Sequence, residues 1–272
     1  MDRSMRFAGP YMFYPNDPTE IIQWKKQVLS NWKKPQPSYR NVYSAIIPHA
    51  GYIYSGSVAI KTLSCIPLPK TIVIIGVNHT GIGRPLSVWS KGRWETPFGW
   101  IPVDEALASK IIQTDPHFES DYKAHLEEHS IEVILSLLAS FSTNFQVLPI
   151  TMGYQDVYSV EELGTLLSSI STTHPVFVIA SSDMSHYIPK DQAYQYDQNI
   201  LQHWYSLHWK EAIETAEQND YSVCGIGPGS VSCLYAQQKG ASKGILVDYS
   251  HSGEVTKDND AVVSYAGVLF VS

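Results

Sequence analysis

Thr71-Ile72-Val73-Ile74-Ile75-Gly76-Val77, followed at once by Asn78-His79-Thr80-Gly81, reads as a strand buried on both faces that stops at polar, turn-forming residues. An unbroken apolar run of this kind marks the middle of a parallel sheet covered by helices on both sides, because an edge or one-sided strand would alternate. The same pattern occurs twice more. Ser44-Ala45-Ile46-Ile47-Pro48 runs into His49, and Val176-Phe177-Val178-Ile179-Ala180 runs into Ser181-Ser182-Asp183-Met184-Ser185-His186. In open α/β sheets the carboxyl ends of the strands form the ligand crevice, so His49, His79, Asp183 and His186 are expected to converge there.

Working outward, Asp17-Pro18-Thr19-Glu20 carries an N-cap acceptor, Pro at the first helical position and a Glu placed for a capping box, and predicts a helix to about Trp32. Strands are predicted near 42–47, 71–77, 145–151, 176–181, 244–250 and 262–271, with an extended pair around 85–103. Helices are predicted near 55–64, 104–114, 128–141, 157–170, 191–217 and 226–239. This alternation predicts one α/β domain spanning residues 1–272, in three layers, with a mixed and mostly parallel central sheet flanked by helices. Lys33-Lys34-Pro35-Gln36-Pro37 reads as a short loop rather than a domain boundary.

Composition narrows the function classes. With 272 residues at 44% hydrophobic content, the chain can fill one large core. A net charge of -7, from 19 Lys and Arg against 26 Asp and Glu with no basic cluster, lacks the footprint of a nucleic-acid binder. No apolar run approaches the roughly 20 residues needed to span a bilayer, and the first residues lead into Pro10 rather than into a signal-type core, so a cytoplasmic location and no membrane partner are expected. Three cysteines without paired spacing, Cys65, Cys224 and Cys233, are read as thiols.

Several residues are candidates for chemistry. His49 is followed by Gly51 and Gly56, which permit tight turning and close backbone approach to a ligand. Imidazole is the commonest metal ligand, and two histidines on neighbouring strand ends suit a metal better than either does alone. If the Asp183–His186 stretch turns helically, the two side chains share a face; otherwise they are a cap and a surface histidine. Glu127-Glu128-His129-Ser130-Ile131-Glu132 opens an amphipathic helix from which His129 and Glu132 could face the same crevice, although the carboxylates would also serve the helix dipole. Cys224 precedes a helix after Val223, where the dipole would favour its thiolate as nucleophile or ligand; the alternative is an inert thiol. Cys65 and Cys233 read as small apolar residues.

Taken together, Phe13-Tyr14-Pro15, Pro48-His49-Ala50-Gly51-Tyr52, Glu95-Thr96-Pro97-Phe98-Gly99, His125-Leu126-Glu127-Glu128-His129-Ser130-Ile131-Glu132, Ser181-Ser182-Asp183-Met184-Ser185-His186-Tyr187, Cys224-Gly225 and Val263-Ser264-Tyr265-Ala266 occur in the order seen in the Memo family. The prokaryotic members of that family are called AmmeMemoRadiSam system protein B. The resemblance runs from about residue 6 to the end. It implies a fold similar to class III extradiol dioxygenases, which are non-haem iron enzymes, and a single metal, iron or copper, held by His49, His79 and Cys224. Asp183, His186 and His129 then line the pocket as candidate catalytic groups.

Two departures qualify the analogy. Those dioxygenases use two His and a carboxylate, so a Cys in the third position sets this chain apart from them. His251, in Tyr249-Ser250-His251-Ser252-Gly253, stands where many relatives have another residue type, and no role is carried to it. Ligand chemistry alone admits zinc as well, because two imidazoles and a thiolate with an open fourth position resemble a catalytic zinc site, while thiolate also suits copper(I). The expected activity is metal-dependent redox chemistry on a small molecule or peptide in the cleft. The alternatives are a zinc hydrolase-like site and a binding module that uses the cleft for a peptide or protein partner. By family association the expected partners are AMMECR-type and radical SAM proteins.

Overall fold

The computed structural model describes residues 1–34 and 39–272. Pro35-Gln36-Pro37 of the expected loop therefore lie outside the described residues. The strands are β1 (Val42–Ile47), β2 (Thr71–Val77), β3 (Leu86–Val88), β4 (Arg93–Thr96), β5 (Gly99–Pro102), β6 (Glu119–Ser120), β7 (Gln146–Met152), β8 (Phe177–Ser181), β9 (His186–Ile188), β10 (Lys243–His251) and β11 (Val262–Val271). The helices are α1 (Pro18–Ser30), α2 (Tyr52–Leu63), α3 (Glu105–Thr114), α4 (Lys123–Leu126), α5 (Ser130–Ala139), α6 (Val157–Ile170), α7 (Lys190–Tyr205), α8 (Trp209–Asn219), α9 (Ile226–Lys239) and α10 (Gly253–Thr256).

The main sheet runs β10-β11-β1-β8-β2-β7-β3-β6, with β9 added on β11. Its centre, β1-β8-β2-β7, is parallel, as the fully buried runs predicted, and antiparallel strands flank it on both sides. Register matters most for the site. Ile47 pairs with Ser181, and Ile75 with Ala180, so β1, β8 and β2 end side by side and release His49, Asp183 and His79 along one edge.

Helices cover both faces, each burying an apolar stripe. One face packs the sheet against α1, α2 and α5, with Ile60, Ile74, Ile134, Leu138 and Ile179 at its centre. On the other, Val73, Ile75, Leu148, Leu163, Leu167 and Val231 bring β2 and β7 against α6 and α9. A third cluster seats α7, α8 and α9 on β1 and β11 through Ile46, Trp204, Cys233 and Val268. No helix among the described residues is long and apolar enough to cross a membrane.

Three expectations about elements need correction. The helix expected over 191–217 is two, α7 and α8, broken at Leu207, which is buried and adopts φ 60°. Its burial offsets the cost of a left-handed backbone at a residue with a Cβ, and lets α8 fold back on α7. The helix expected from about 55 starts at Tyr52, because the Tyr52 amide is held by the Phe13 carbonyl at 2.8 Å. The extended pair around 85–103 separates into β3, in the main sheet, and a β4–β5 hairpin turned by Pro97-Phe98.

Candidate metal centre

Gly76 decides how closely the start of α5 approaches the end of β2. A Cβ there would lie 2.6 Å from both Ser130 Oγ and Ile131 Cγ1. Without one, Ser130 Oγ docks on the strand at 3.1 Å from both the amide and the carbonyl of Val77, and the preceding residues Glu128 and His129 come to rest beside His79.

His49, His79 and His129 then form one cluster, with ligand-type atoms all within 4.8 Å of one another. Ring centroids are 5.2 Å apart for His49 and His79, 5.3 Å for His49 and His129, and 4.8 Å for His79 and His129, the last pair stacked. Phe13 closes the outer side, its ring 4.4 Å from that of His129. His129, expected among the acid/base candidates, therefore groups with His49 and His79. Cys224 joins through His49, with Sγ 3.5 Å from Nε2.

The hydrogen bonds beneath the rings assign donors and acceptors. Ser181 Oγ donates to the Ser130 carbonyl at 2.7 Å, so it accepts from His49 Nδ1, also at 2.7 Å. Nδ1 of His49 thus carries hydrogen, and Nε2 keeps its lone pair. His79 Nδ1 donates to Glu128 Oε1 at 2.9 Å, which leaves Nε2 as the nitrogen not engaged by the carboxylate. Glu128 also accepts from the amides of His79, at 2.7 Å, and Ser130, at 2.9 Å, and lies 3.5 Å from His129 Nδ1.

Electrostatics agree with this assignment. Burial, then the nearby His79, lowers His49 to about 3. Burial, then His49, lowers His129 to about 4. For Glu128 burial acts upward but is outweighed by the hydrogen bond and charge of His79, which with His129 and the Ser130 amide hold the carboxyl at about 2. Neutral imidazoles above an ionised carboxylate are the protonation states that metal ligation requires.

Asp183 and His186 do not share a helical face. Residues 182–185 are irregular and β9 starts at His186. Asp183 turns inward, accepting from the His49 and Ala50 amides at 2.8 and 3.3 Å, with its other oxygen 4.0 Å from His49 Nε2. Burial raises its pKa despite those bonds. The ring of His186 is tied to the Ser222 carbonyl through Nδ1 at 2.8 Å, outside the three-histidine cluster.

The thiolate expected at Cys224 is not favoured. The residue precedes α9 by two positions; burial, then the Asp183 carboxylate, pushes its thiol well up, and the Asp183 amide at 3.2 Å offsets only part of this. Glu132 is also not on the crevice. It pairs with Arg3 in a fully buried contact and accepts from the Arg6 and Phe7 amides and Tyr14 Oη. His251 pairs across to Ser264 on β11 and is not part of the cluster. The sequence does not single out Glu128 and Ser181 as the acceptors beneath the rings; a carboxylate adjoining a histidine, and a hydroxyl as the last residue of an apolar strand, are the available signals.

Beside Phe13 opens a cleft of about 900 Å³ lined by Tyr11, Met12, Phe13, Ile53 and Tyr54 among others, with Asp17 and Glu20 contributing negative charge.

Comparison with known proteins supplies the context. A family model described as Memo-like protein matches residues 3–269. A MEMO1 family protein of Aquifex aeolicus is 36% identical over 260 residues, covering 95% of this chain and 96% of its own. A second, from Methanosarcina barkeri, is 39% identical, covering 94% and 96%. A crystal structure of an uncharacterized protein from Escherichia coli K12 superposes with a TM-score of 0.58 at 15% identity, over 85% of this chain and all of that one, and shows the shared fold.

Proposed function

The chain belongs to the Memo family, and on that premise we propose that it is a metal-dependent protein holding one ion, iron or copper, in the cradle of His49, His79 and His129. The supporting observation is the convergence of three imidazoles, two of which have Nδ1 committed to Ser181 and Glu128 and Nε2 left free. Cys224 stands at the edge of this cradle as the adjustable donor. Its 3.5 Å separation from His49 Nε2 is about the spacing that ~2.0 Å Metal–N and ~2.3 Å Metal–S bonds to one tetrahedral ion produce.

A redox-active ion in this cradle would supply open positions for oxygen or substrate. The protein's own part is to hold the ring nitrogens, to keep next to them the Asp183 carboxyl, whose pKa burial raises, and to shield the cluster with Phe13. Asp183 is then placed to give a proton to a group developing negative charge near His49, and to recover it afterwards. The aromatic cleft beside Phe13 would seat the organic substrate, a small molecule or the side chain of a peptide.

A second reading is favoured by the same three nitrogens, since three-histidine sets also serve catalytic zinc, which would activate water for hydrolysis. Untagged protein purified without chelator should contain about one ion per chain, lost in His49→Ala. Cobalt substitution then reads the third donor, because a sulfur-to-metal charge-transfer band that vanishes in Cys224→Ser requires thiolate ligation. Wild-type protein that takes up none of these metals would overturn the proposal.

A further inference from the structure

Beneath the three rings runs one buried hydrogen-bonded chain. From His49 Nδ1 it passes to Ser181 Oγ, then to the Ser130 carbonyl; from the Ser130 amide it continues to Glu128 Oε1, and from that carboxylate to both the ring and the amide of His79. Ser181 and Ser130 are fully buried, and Glu128 is 1% exposed. Burying a hydroxyl or a carboxylate costs free energy unless it is hydrogen-bonded, and here both hydroxyls and both carboxylate oxygens are. Nothing in the core packing calls for a carboxylate at 128: its partners are the Ser130 amide, His79 and, at 3.5 Å, His129.

We infer that Glu128 and Ser181 are positioning residues that fix the tautomers of His79 and His49 before any ligand arrives, so that the cradle presents ring lone pairs and selects a cation. This rests on the metal reading of the same site, and refines it by naming what sets the site's polarity. One carboxylate just before α5 holds the His79 ring, with the His129 ring 3.5 Å away, while a hydroxyl at the end of β8 holds the His49 ring. The His49 and His79 rings are therefore held by their Nδ1 donors with Nε2 turned away from those acceptors, which is how supporting acceptors strengthen imidazole ligation. Flipping either tautomer would leave Glu128 or Ser181 without its donor.

The test separates this inference from the metal reading by using metal-free protein. Long-range proton–nitrogen correlation spectra of ¹⁵N-labelled wild-type protein should show His49 and His79 as single Nδ1–H tautomers. In Ser181→Ala the His49 signals should move to a mixture or to the Nε2–H form, with His79 unchanged; Glu128→Ala should do the same to His79. The Zn²⁺ dissociation constant, read by competition with a chromophoric chelator, should rise about 10–100-fold in each, with Glu128→Gln, which keeps an acceptor oxygen, falling in between. Unchanged tautomers together with an unchanged dissociation constant in both folded variants would overturn the inference. Should Glu128→Ala fail to fold, Ser181→Ala decides alone, because it removes one hydroxyl. A wild type that binds no metal would overturn the metal reading, while the tautomers would still decide the positioning role.

Discussion

Cys224 Sγ lies 3.5 Å from His49 Nε2 and accepts a hydrogen bond from the Asp183 amide, yet the thiol is held in its neutral form by burial and by the Asp183 carboxylate. Proximity to a helix start is therefore outweighed by desolvation. This orders the three thiols differently from their sequence positions. In metal-free native protein, iodoacetamide at mildly alkaline pH should alkylate Cys65 first and Cys224, equally half-buried but with its thiol pushed well up, more slowly. Fully buried Cys233 should react only on unfolding. Peptide mass spectrometry reads the order, and Cys224 reacting ahead of Cys65 would contradict it.

Arg3 is 1% exposed, and anchors the first residues to the segment that carries the site. Besides Glu132 it donates to the carbonyls of His125 and Glu128, each at 3.0 Å, and its guanidinium covers Trp94 at 4.2 Å. Arg3→Met should leave the Glu132 carboxylate buried without its cation and cost about 3–5 kcal/mol of stability. Urea denaturation measures the loss. Arg3→Met with Glu132→Gln should recover part of it, since the uncompensated charge is then gone.

A pH effect is expected from Asp104. Burial raises its pKa, but the Leu107 amide at 2.9 Å, Thr71 Oγ1 at 2.8 Å and His174 Nε2 at 2.7 Å together bring it below the ordinary value of 3.8. A depressed carboxyl contributes stability that is complete above the unfolded-state pKa and is lost as pH falls through the folded one. Denaturation across the acid range should therefore show a steeper loss of stability below pH 3.8 in the wild type than in Asp104→Asn. At neutral pH that variant should be less stable by about 1 kcal/mol, because α3 loses its charged N-cap.

Gly225 offers a way to move Cys224 without changing it. A Cβ at 225 would sit 2.4 Å from the Ser181 carbonyl and 2.6 Å from Ser182 Cβ, both firmly held. Gly225→Ala should cost about 1–3 kcal/mol by overpacking and displace the turn that carries the thiol. If Cys224 ligates the ion, the cobalt charge-transfer band should weaken in this variant while the nitrogen donors remain.

Much of this was legible in the sequence, and the reasons are physical. Residues 71–77 and 177–181 sit in the parallel centre, where burial on both faces removes alternation and leaves an unmistakable apolar run. That run also fixed where His49, His79 and Asp183 emerge. The break at Leu207 was hidden, because the apolar periodicity continues through a residue whose left-handed backbone is imposed by packing rather than by Gly or Asn. The destination of Glu132 was equally hidden, since Arg3 lies 129 residues away and no local pattern records such a pairing. Glu128 and Ser181 belong to the same class: their partners come from distant strand ends.

The placement of β1 has a consequence for how the protein is made. This early strand lies between β8 and β11, so during vectorial synthesis its two edges stay open until residues 177–181 and then 262–271 leave the ribosome. Unpaired edges of an apolar strand invite association with other chains until they are covered. His49 hangs from the end of β1, and its ring is steadied by Ser181 on β8. The three-histidine cradle therefore forms only once β8 has paired with β1, well after His49 itself has been made.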